Sequence, residues 1–294
     1  MSLGPTKSFA EYPPAPTHVR SRESARLRRL RVVYCTRGGL FGALVLNRLR
    51  ACEKIEVCGI VRSSRMFHPR LDVVRGALAY IRYSGISYAL YLLCATTLAD
   101  LSGGFGSVSP VPTRSRPGGP PVHTTRDIND PSSLEFLREC GSDLLVSAFF
   151  DQRLHEAALA VPPRGCINIH PSLLPDFRGV DPVLQARLHR STLGVTVHYM
   201  TPILDQGEIL AQRSLAYDQH ASVFATTASL FSAGAELLVS QLERVEHGEH
   251  GSPQRAGGSY QSWPTRAEVR ALRAGGGALL RLADFKLLRR RIGA

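Results

Sequence analysis

Short apolar runs alternate with helical patterns along most of the chain, and this alternation is typical of an α/β fold. The first apolar run covers residues 31–36 and is followed by a glycine-rich turn at 37–42. An apolar-periodic stretch at 43–50 then leads to a second run at 55–61. Strand, turn, helix and strand in this order form a βαβ unit, which predicts a parallel sheet.

The same pattern returns after residue 120. Apolar runs there predict further strands at 121–125, 143–150, 166–170, 194–200 and 209–215. Helical spacing at 130–138 and 221–246 predicts two helices, the second of them long and amphipathic. We therefore expect an open, mostly parallel sheet with helices packed on it.

The most apolar segment of the chain covers residues 81–101. Its uncharged run, 83–99, has only 17 residues and contains Ser, Gly and Thr, which is marginal for crossing a hydrocarbon core of about 30 Å. A buried helix, or one that covers an exposed flank, is the first interpretation, and peripheral contact with a membrane is the alternative. Stable membrane insertion is not expected.

The pattern divides the chain into four parts. Residues 1–30 mix Pro, Ser and Arg without periodicity and are predicted to form a flexible basic arm. Residues 31–216 are predicted to form the main domain, with an insertion at 76–120. A helix within 217–250 is expected to pack on that domain, and 251–294 is expected to be a basic, helical tail.

Composition is that of an ordinary soluble protein, at 44% hydrophobic and 20% charged residues, which argues against a disordered chain or a polytopic membrane protein. The net charge of +12 suggests a nucleic-acid ligand. However, residues 1–30 carry +4 and 248–294 carry +6, so the stretch between them holds only +2. The excess charge belongs to the two ends, where solvated tails are the simpler interpretation.

The six cysteines show no CxxC pair and no histidine at zinc-finger spacing, so no metal site is expected. Most of them lie in apolar runs, which is typical of buried, reduced thiols. The N-terminal region lacks the apolar segment of a secretory signal. A reduced, cytoplasmic protein is therefore predicted.

Candidate chemistry begins on the predicted strand at 166–170. Because side chains alternate along a strand, Ile167 and Ile169 share one face while Asn168 and His170 share the other. The carboxyl end of such a strand is where open α/β sheets hold their sites. An amide beside an imidazole suits acyl chemistry, although the two side chains could instead simply hydrogen-bond a loop.

Several separated segments, at 143–162, 166–175, 177–182, 194–200 and 204–210, together resemble the folate-dependent formyltransferase family. That family includes glycinamide ribonucleotide, methionyl-tRNA and sugar-amine formyltransferases. The resemblance implies a Rossmann-like formyltransferase fold with helices on both faces of the sheet. It also implies transfer of a formyl group from 10-formyltetrahydrofolate to an amine.

By motif position, the resemblance implies three catalytic residues: Asn168, His170 and Asp205. Asn168 would donate a hydrogen bond to the formyl oxygen, and His170 would stabilise the oxyanion as an imidazolium. Asp205 would keep His170 charged and help to take the proton of the incoming amine. By contrast, His198 is expected to be structural.

The resemblance also implies binding residues. Those expected for the folate lie in three places: Gln152, Arg153, Leu154, Ser172, Leu173, Leu174, Pro175, Ile203 and Leu204. Arg153 has an alternative interpretation as an ordinary surface charge. Arg178 and Gly179 match a family turn beside the acceptor, and the turn at Gly38 and Gly39 could present backbone N–H groups to an anion.

The acceptor is less sharply indicated. The Phe177 to Pro182 segment is similar to the methionyl-tRNA and sugar-amine branch, whereas His170-Pro171 is similar to the purine enzymes. Only 34 residues follow Tyr260, with too few alternating runs for the β-barrel that grips tRNA in that branch. We expect a small-molecule amine, such as an amino sugar, with tRNA less favoured. A hydrolase and a non-catalytic folate-binding protein stay as alternatives, and the oligomeric state is open.

Overall fold

The computed structural model describes residues 28–65, 73–101 and 108–284. Most of the predicted basic arm, at 1–27, lies outside the described residues. The same holds for 102–107 of the predicted insertion and for 285–294 of the predicted tail.

The centre of the described chain is a seven-stranded sheet. Its strands are β1 (Leu30–Thr36), β2 (Ile55–Ser63), β3 (Val122–Thr125), β4 (Leu144–Ala148), β5 (Cys166–His170), β7 (Leu193–Tyr199) and β8 (Ile209–Leu215). They are arranged in the order β3-β2-β1-β4-β5-β7-β8. The first five strands in that order are parallel, and β7 is antiparallel to both of its neighbours, β5 and β8. Two short strands, β6 (Arg178–Gly179) and β9 (Tyr260–Gln261), form a separate parallel pair.

Helices cover both faces of the sheet, which confirms the predicted fold class. They are α1 (Gly39–Arg50), α2 (Val73–Ser84), α3 (Ile86–Leu101), α4 (Pro131–Glu139), α5 (Glu156–Leu159), α6 (Pro182–Leu188), α7 (Val223–Ser240), α8 (Leu242–Glu246) and α9 (Arg266–Ala274). The helix predicted at 221–246 is therefore two helices, which meet at Gln241.

The core has two parts because side chains alternate across the buried strands. In β1, Val32 and Tyr34 belong to the larger cluster, which α1, α3 and α7 cover. Val33 and Cys35 point to the other face and join a smaller cluster with residues of α4 and α5. All six cysteines are free, and five of them are buried.

Helix α7 lies directly against the sheet. A Cβ atom at Gly234 would collide with methyl groups of Ile169 and Val195, so glycine is what permits this close packing. In the described chain, α7 is the one helix long and apolar enough to cross a bilayer, but more than half of it is buried inside the protein. Its apolar character is explained by its place in the core.

The predicted apolar segment at 81–101 is not one helix. Gly85 adopts a φ of 89° and separates α2 from α3. The inner face of α3 places Tyr88, Tyr91 and Ala95 in the core. The backbone of α3 also approaches the first residue of α1, where a Cβ atom on Gly39 would collide with the carbonyl of Ala95.

The region predicted as a basic helical tail differs from that expectation. Strand β9 pairs with β6 in parallel, and only α9 is a full helix within the described part of 251–294. The backbone N–H groups of Val223 and Phe224 donate to the carbonyls of Ala278 and Leu279. This region is therefore packed against the sheet domain over most of its described length.

Candidate functional site

The candidate site is built at the carboxyl end of β5, where Asn168 and His170 share a face of the sheet. Strand β7 runs antiparallel beside it and brings His198 opposite Asn168. The loop that leads from β7 to β8 carries Asp205, which adopts a φ of 54°. Four polar side chains from distant parts of the sequence thus meet at one sheet edge.

His170 is buried and its two ring nitrogens have different partners. Nε2 lies 3.0 Å from the carbonyl oxygen of Phe177, and because a carbonyl only accepts, this nitrogen carries a proton. Nδ1 lies 3.6 Å from Asp205 Oδ1. Protonation of Nδ1 would therefore create an imidazolium directly beside a carboxylate, which is the arrangement predicted for these two residues.

Asp205 is held by the backbone as well as by histidines. The N–H of Gly179 donates to its Oδ2 over 2.8 Å, and His198 Nε2 lies 3.8 Å from Oδ1. The carboxylate is only 12% exposed. A carboxylate that accepts a backbone hydrogen bond in a buried place has a defined orientation.

His198 is closer to the chemistry than its sequence suggests. Its Nδ1 donates to the carbonyl of Tyr199 over 2.8 Å, and Nε2 accepts from Asn168 Nδ2 over 3.2 Å. Burial lowers the pKa of His198 from 6.5 to about 4, so this ring is neutral near pH 7. The neutral ring fixes which way the Asn168 amide points. Sequence reasoning missed this because it depends on the pairing of β5 with β7.

These residues open on a cavity of 460 Å³. Its wall combines the catalytic candidates with strand ends, part of α3 and the C-terminal region around β9. Among the described residues the wall includes Arg37, Arg65, Tyr88, Tyr91, Gln152, Arg153, Leu154, Asn168, His170, Gly179, Asp181, His198, Leu204, Asp205, Tyr260 and Trp263. A cavity of this size is within the usual range of small-molecule sites.

The predicted folate residues divide into two groups, of which the first lines the cavity. Arg153 and Leu204 are exposed and reach the wall, and Leu154 lines it from the buried side. Gln152 also lines it, although its side chain is committed elsewhere: Nε2 donates to Ser63 Oγ and Oε1 accepts from the N–H of Ile128. Gln152 therefore shapes the wall more than it offers free polar atoms.

The second group lies outside the cavity wall. Ser172, Leu173, Leu174 and Pro175 pack beneath the site, where Thr196 Oγ1 donates to the carbonyl of Ser172 and accepts from the N–H of Leu174. Ile203 is 57% exposed on the neighbouring loop. This segment supports the site from behind.

The residues predicted for the acceptor are also divided. Gly179 lines the cavity, but the Arg178 guanidinium points to Gln254, to which Nη2 donates over 3.0 Å. Gly38 and Gly39 are buried under Arg62 and α3 and lie outside the wall. Their positive φ values and close contacts explain the glycines as packing requirements.

Charged residues near the mouth of the cavity were not singled out from the sequence. Arg37 Nη1 and Asp151 Oδ2 form an ion pair of 2.6 Å. Arg65 also lines the cavity, and its carbonyl accepts a hydrogen bond of 3.1 Å from Arg37 Nη1. Arg37 follows β1 and Asp151 follows β4, so the pair joins the ends of two adjacent strands. Only their positions at strand ends could have indicated them.

Comparison with known proteins agrees with this arrangement. A family model described as formyl transferase matches residues 108–242. A methionyl-tRNA formyltransferase of Chloroflexus aggregans is 40% identical over 141 residues, which cover 48% of this chain and 46% of the relative. Residues 108–242 of this chain are thus similar to the formyltransferase family.

Solved structures show the same fold. A sugar N-formyltransferase from a Shewanella species superposes with a TM-score of 0.53 at 16% identity, covering 83% of this chain and 79% of that one. A glycinamide ribonucleotide transformylase from Symbiobacterium toebii gives 0.50 at 18% identity, covering 75% and 89%. At these identities the likeness concerns the fold alone. The formyltransferase region spans about half the length of the curated relatives it matches.

Proposed function

We propose that this chain transfers a formyl group from 10-formyltetrahydrofolate to a primary amine of a small acceptor. The observation that carries the proposal is the meeting of Asn168, His170 and Asp205 on one cavity wall. An amide donor, an imidazole and a buried carboxylate are the groups that acyl transfer to an amine requires. Their presence in a formyltransferase domain supports this reaction over others.

The cavity suits a folate as formyl donor. Its wall is largely apolar and aromatic, and it includes Leu154 and Leu204 together with the proposed catalytic residues. A flat pterin ring fits between such walls, where backbone groups are available to its polar edge. We propose Arg153 and the cationic mouth at Arg65 as contacts for the anionic end of the donor, and Gln152 as part of the wall.

In the proposed reaction, Asn168 donates from Nδ2 to the formyl oxygen as negative charge develops there. His170, protonated at Nδ1, places a positive charge beside that oxygen, and Asp205 holds the imidazolium in position. The lone pair of the acceptor amine forms the new C–N bond, and Asp205 accepts a proton from the amine, directly or through water. The bond from the formyl carbon to the donor nitrogen then breaks, and that nitrogen takes up a proton, so that tetrahydrofolate leaves with an N–H at that position.

We further propose an amino sugar or a similar small metabolite as the acceptor class. The C-terminal region around β9 and the inner face of α3 narrow the acceptor side of the cavity, with Tyr260, Trp263 and Tyr88 on its wall. Aromatic walls of this kind favour a compact ring over an extended polymer. A sugar N-formyltransferase is among the proteins of the same fold.

Methionyl-tRNA is the second candidate acceptor, because relatives that are 39–40% identical over part of this chain are named methionyl-tRNA formyltransferases. A tRNA acceptor would add a strong salt dependence that a small amine lacks. The basic residues of α9 and the excess charge of the C-terminal region would then take part in phosphate contacts.

The organisation of the chain follows from this function. We propose that 31–216 is the catalytic domain, that the helix within 217–250 completes its core, and that the described part of 251–294 encloses the acceptor. We also propose a cytoplasmic location, where reduced folates and free thiols are both maintained.

The decisive experiment is a transfer assay with purified protein, 10-formyltetrahydrofolate and separate acceptors. We expect release of tetrahydrofolate with an amino sugar, and its loss by at least about 100-fold in Asp205→Asn. Asp176→Asn is the matched control, because it removes an exposed carboxylate from the loop between β5 and β6. Formyl transfer to methionyl-tRNA alone would select the second candidate acceptor. Release of formate in the absence of any acceptor would indicate a hydrolase. Folate binding without turnover would indicate a binding protein.

A further inference from the structure

A carboxylate on the cavity wall, that of Asp181, has no role in the reaction described above. Asp181 follows Gly179 by two residues, and the N–H of Gly179 is bound to Asp205. Asp181 adopts a φ of 47° at the start of α6, and its side chain accepts no capping hydrogen bond there. Asp181 therefore lies close to the catalytic carboxylate without contributing to the local fold in the usual way.

The Asp181 carboxylate is poorly satisfied. Its Oδ2 is buried, and none of the described residues hydrogen-bonds to it. Burial raises the pKa of Asp181 to about 6, and the nearby Tyr88 hydroxyl and Leu184 N–H oppose this only in part. A buried carboxylate oxygen that lacks a hydrogen bond is unfavourable unless a ligand supplies hydrogen bonds and charge.

The groups around Asp181 are aromatic. Tyr88 and Tyr91 of α3 face it and line the same cavity, and Tyr80 of α2 lies behind Tyr88 with ring centroids 6.4 Å apart. The Tyr88 hydroxyl is likewise without a hydrogen-bond partner in the described part of the chain. The other ionisable groups of the surrounding wall are Arg37 with its ion-pair partner Asp151, and Arg65, Arg153, His170, His198, Asp205 and Tyr260.

We propose that Asp181, with the rings of Tyr88 and Tyr91, forms a subsite that binds the acceptor's amino group in its protonated, ammonium form. This inference rests on the proposed function and deepens it. A carboxylate supplies charged hydrogen-bond acceptors for an N–H⁺ donor, and aromatic faces favour a cation over a neutral group. The subsite holds the amine beside Asp205, where it loses a proton before it attacks the formyl carbon.

The subsite can be tested without a formyl donor. The chain has a single tryptophan, Trp263, and it lines the cavity. Its fluorescence can therefore follow titrations with cyclohexylammonium and with cyclohexanol, which share a ring but differ in charge. We expect the ammonium to bind roughly 10- to 100-fold more tightly than the alcohol at pH 7.5. Equal affinities would overturn the proposal.

Asp181→Asn is the informative variant, since asparagine tolerates a positive φ and keeps the shape of the side chain. It should bind both probes with similar affinity, whereas Asp176→Asn should keep the preference for the ammonium. Preservation of the preference in Asp181→Asn would contradict the assignment.

A pH titration of the unaltered protein gives the same test without a substitution. Preference for the ammonium should decline as the pH falls through about 6, because Asp181 is then protonated while the probe stays charged. A preference that does not change from pH 7.5 to 5 would overturn the proposal. Ammonium binding without any formyl transfer would instead leave the subsite standing and reject the proposed function.

A second, independent observation concerns the outer face of α2 and α3. Five large apolar side chains are between 51% and 66% exposed there, and we refer to them as the outer apolar face: Leu78, Tyr83, Ile86, Leu90 and Leu93. Helix α3 is thus apolar on both its buried and its exposed side. In a soluble protein, the exposed side of a surface helix is normally polar. A contiguous exposed apolar face indicates an interaction surface.

The charged residues within α2 and α3 are Arg75, Arg82 and, at the end of α3, Asp100. Residues 73–99 therefore contain no acidic residue. Arg266 of the adjoining helix α9 donates to the carbonyl of Ile81, and Arg270 is exposed one turn further along α9. Apolar side chains with arginines at their border are the composition of helices that rest on anionic bilayers.

We infer that the outer apolar face docks on an anionic lipid surface. The opposite side of α3 lines the cavity, so the acceptor subsite would lie about 10 Å, one helix diameter, from the membrane. This inference does not depend on the identity of the reaction.

Flotation with phosphatidylcholine vesicles, with and without 30% phosphatidylglycerol, tests the docking surface. We expect binding to the anionic vesicles, and a loss of at least about tenfold in the double variant Ile86→Glu and Leu90→Glu. Leu282→Glu, at an 86% exposed leucine elsewhere, is the control and should bind as before. The double variant keeps both basic ends of the chain. If it bound the anionic vesicles as before, the contact would belong to those ends and the inference would be overturned. Dimerisation through this face, or no vesicle binding by the unaltered protein, would overturn it as well.

Discussion

The backbone N–H of Gly179 donates a hydrogen bond of 2.8 Å to Oδ2 of Asp205. Gly179 is also paired in register with Gln261 of β9, and its φ of 96° brings its backbone close to the Gln261 carbonyl. The carboxylate proposed as catalytic is therefore oriented by a glycine that the C-terminal region holds in place. Distant parts of the chain, about eighty residues apart, determine one side-chain orientation.

Gly179→Ala should damage both stability and transfer. The added Cβ would collide with the Gln261 carbonyl in a conformation that alanine rarely adopts. We expect a loss of about 2–4 kcal/mol in the free energy of unfolding, together with a lower kcat in the transfer assay. Denaturant unfolding and steady-state kinetics measure the two effects.

Gly257→Ala is the control for that substitution. Gly257 has a φ of 98°, nearly the same as Gly179, but an added Cβ would meet no atom within 4 Å. It should show only the conformational penalty of about 1 kcal/mol and keep its kcat. Similar losses in the two variants would show that the contact with Gln261 is unimportant.

Substitution of His198 should affect turnover more than donor binding. His198→Phe keeps a ring but removes the acceptor for Asn168 Nδ2, so the amide loses its fixed orientation. We expect kcat to fall about 10- to 100-fold, less than for loss of an oxyanion donor itself, with little change in KM. His220→Phe, at an exposed histidine, is the control, and an unchanged kcat in His198→Phe would remove His198 from the site.

His198 should also make stability depend on pH. Its pKa is lowered to about 4 in the folded protein, from an ordinary value of 6.5. Between these values the unfolded chain binds a proton that the folded one does not, so stability is present above pH 6.5 and is lost as the pH falls toward 4. This group contributes at most about 1.4 kcal/mol for each pH unit in that window.

Comparison of the protein with His198→Phe isolates that contribution. The difference between their free energies of unfolding should shrink as the pH falls from 7 to 4.5, because only the unaltered protein carries the buried ring. Denaturant titrations at pH 7, 6, 5 and 4.5 would measure it. A difference that is constant over this range would mean that His198 titrates normally in the fold.

The alternation of residues in one strand was enough to predict the face shared by Asn168 and His170, and the resemblance added Asp205. His198 could not be placed in the same way, because its role arises from the register between β5 and β7. Asp181 and Trp263 reach the cavity through contacts with helices and strands far away in sequence. Single-strand patterns are local, whereas these contacts depend on packing between elements.

The same limit explains why the packing of the C-terminal region could not be predicted from the sequence. Its basic composition and helical spacing favoured a solvated tail, and nothing in the local pattern indicated that Tyr260 and Gln261 would pair with Arg178 and Gly179. The pairing depends on a two-residue strand, which is too short to produce a periodic signal. Charge alone therefore described the composition of this region without describing its place in the fold.

Ser222 joins the C-terminal region to the core and offers a last test of that arrangement. Its Oγ donates to Asp284 Oδ2 over 2.7 Å and accepts from the N–H of Ala225, at the beginning of α7. Asp284 is buried, with 3% of its surface exposed. Ser222→Ala would remove a helix cap and one hydrogen bond to a buried carboxylate, so we expect a loss of about 2–4 kcal/mol.

The matched control for Ser222→Ala lies on the same helix. Ser232 donates only to the carbonyl of Ala228 one turn earlier, so Ser232→Ala should change the free energy of unfolding by about 0.5 kcal/mol or less. Thermal and denaturant unfolding would measure both variants. Equal stability of the two would mean that the segment around Asp284 does not hold α7, and the packed C-terminal region would then be an arrangement without energetic consequence. A selective loss in Ser222→Ala would establish that the core depends on residues beyond α9.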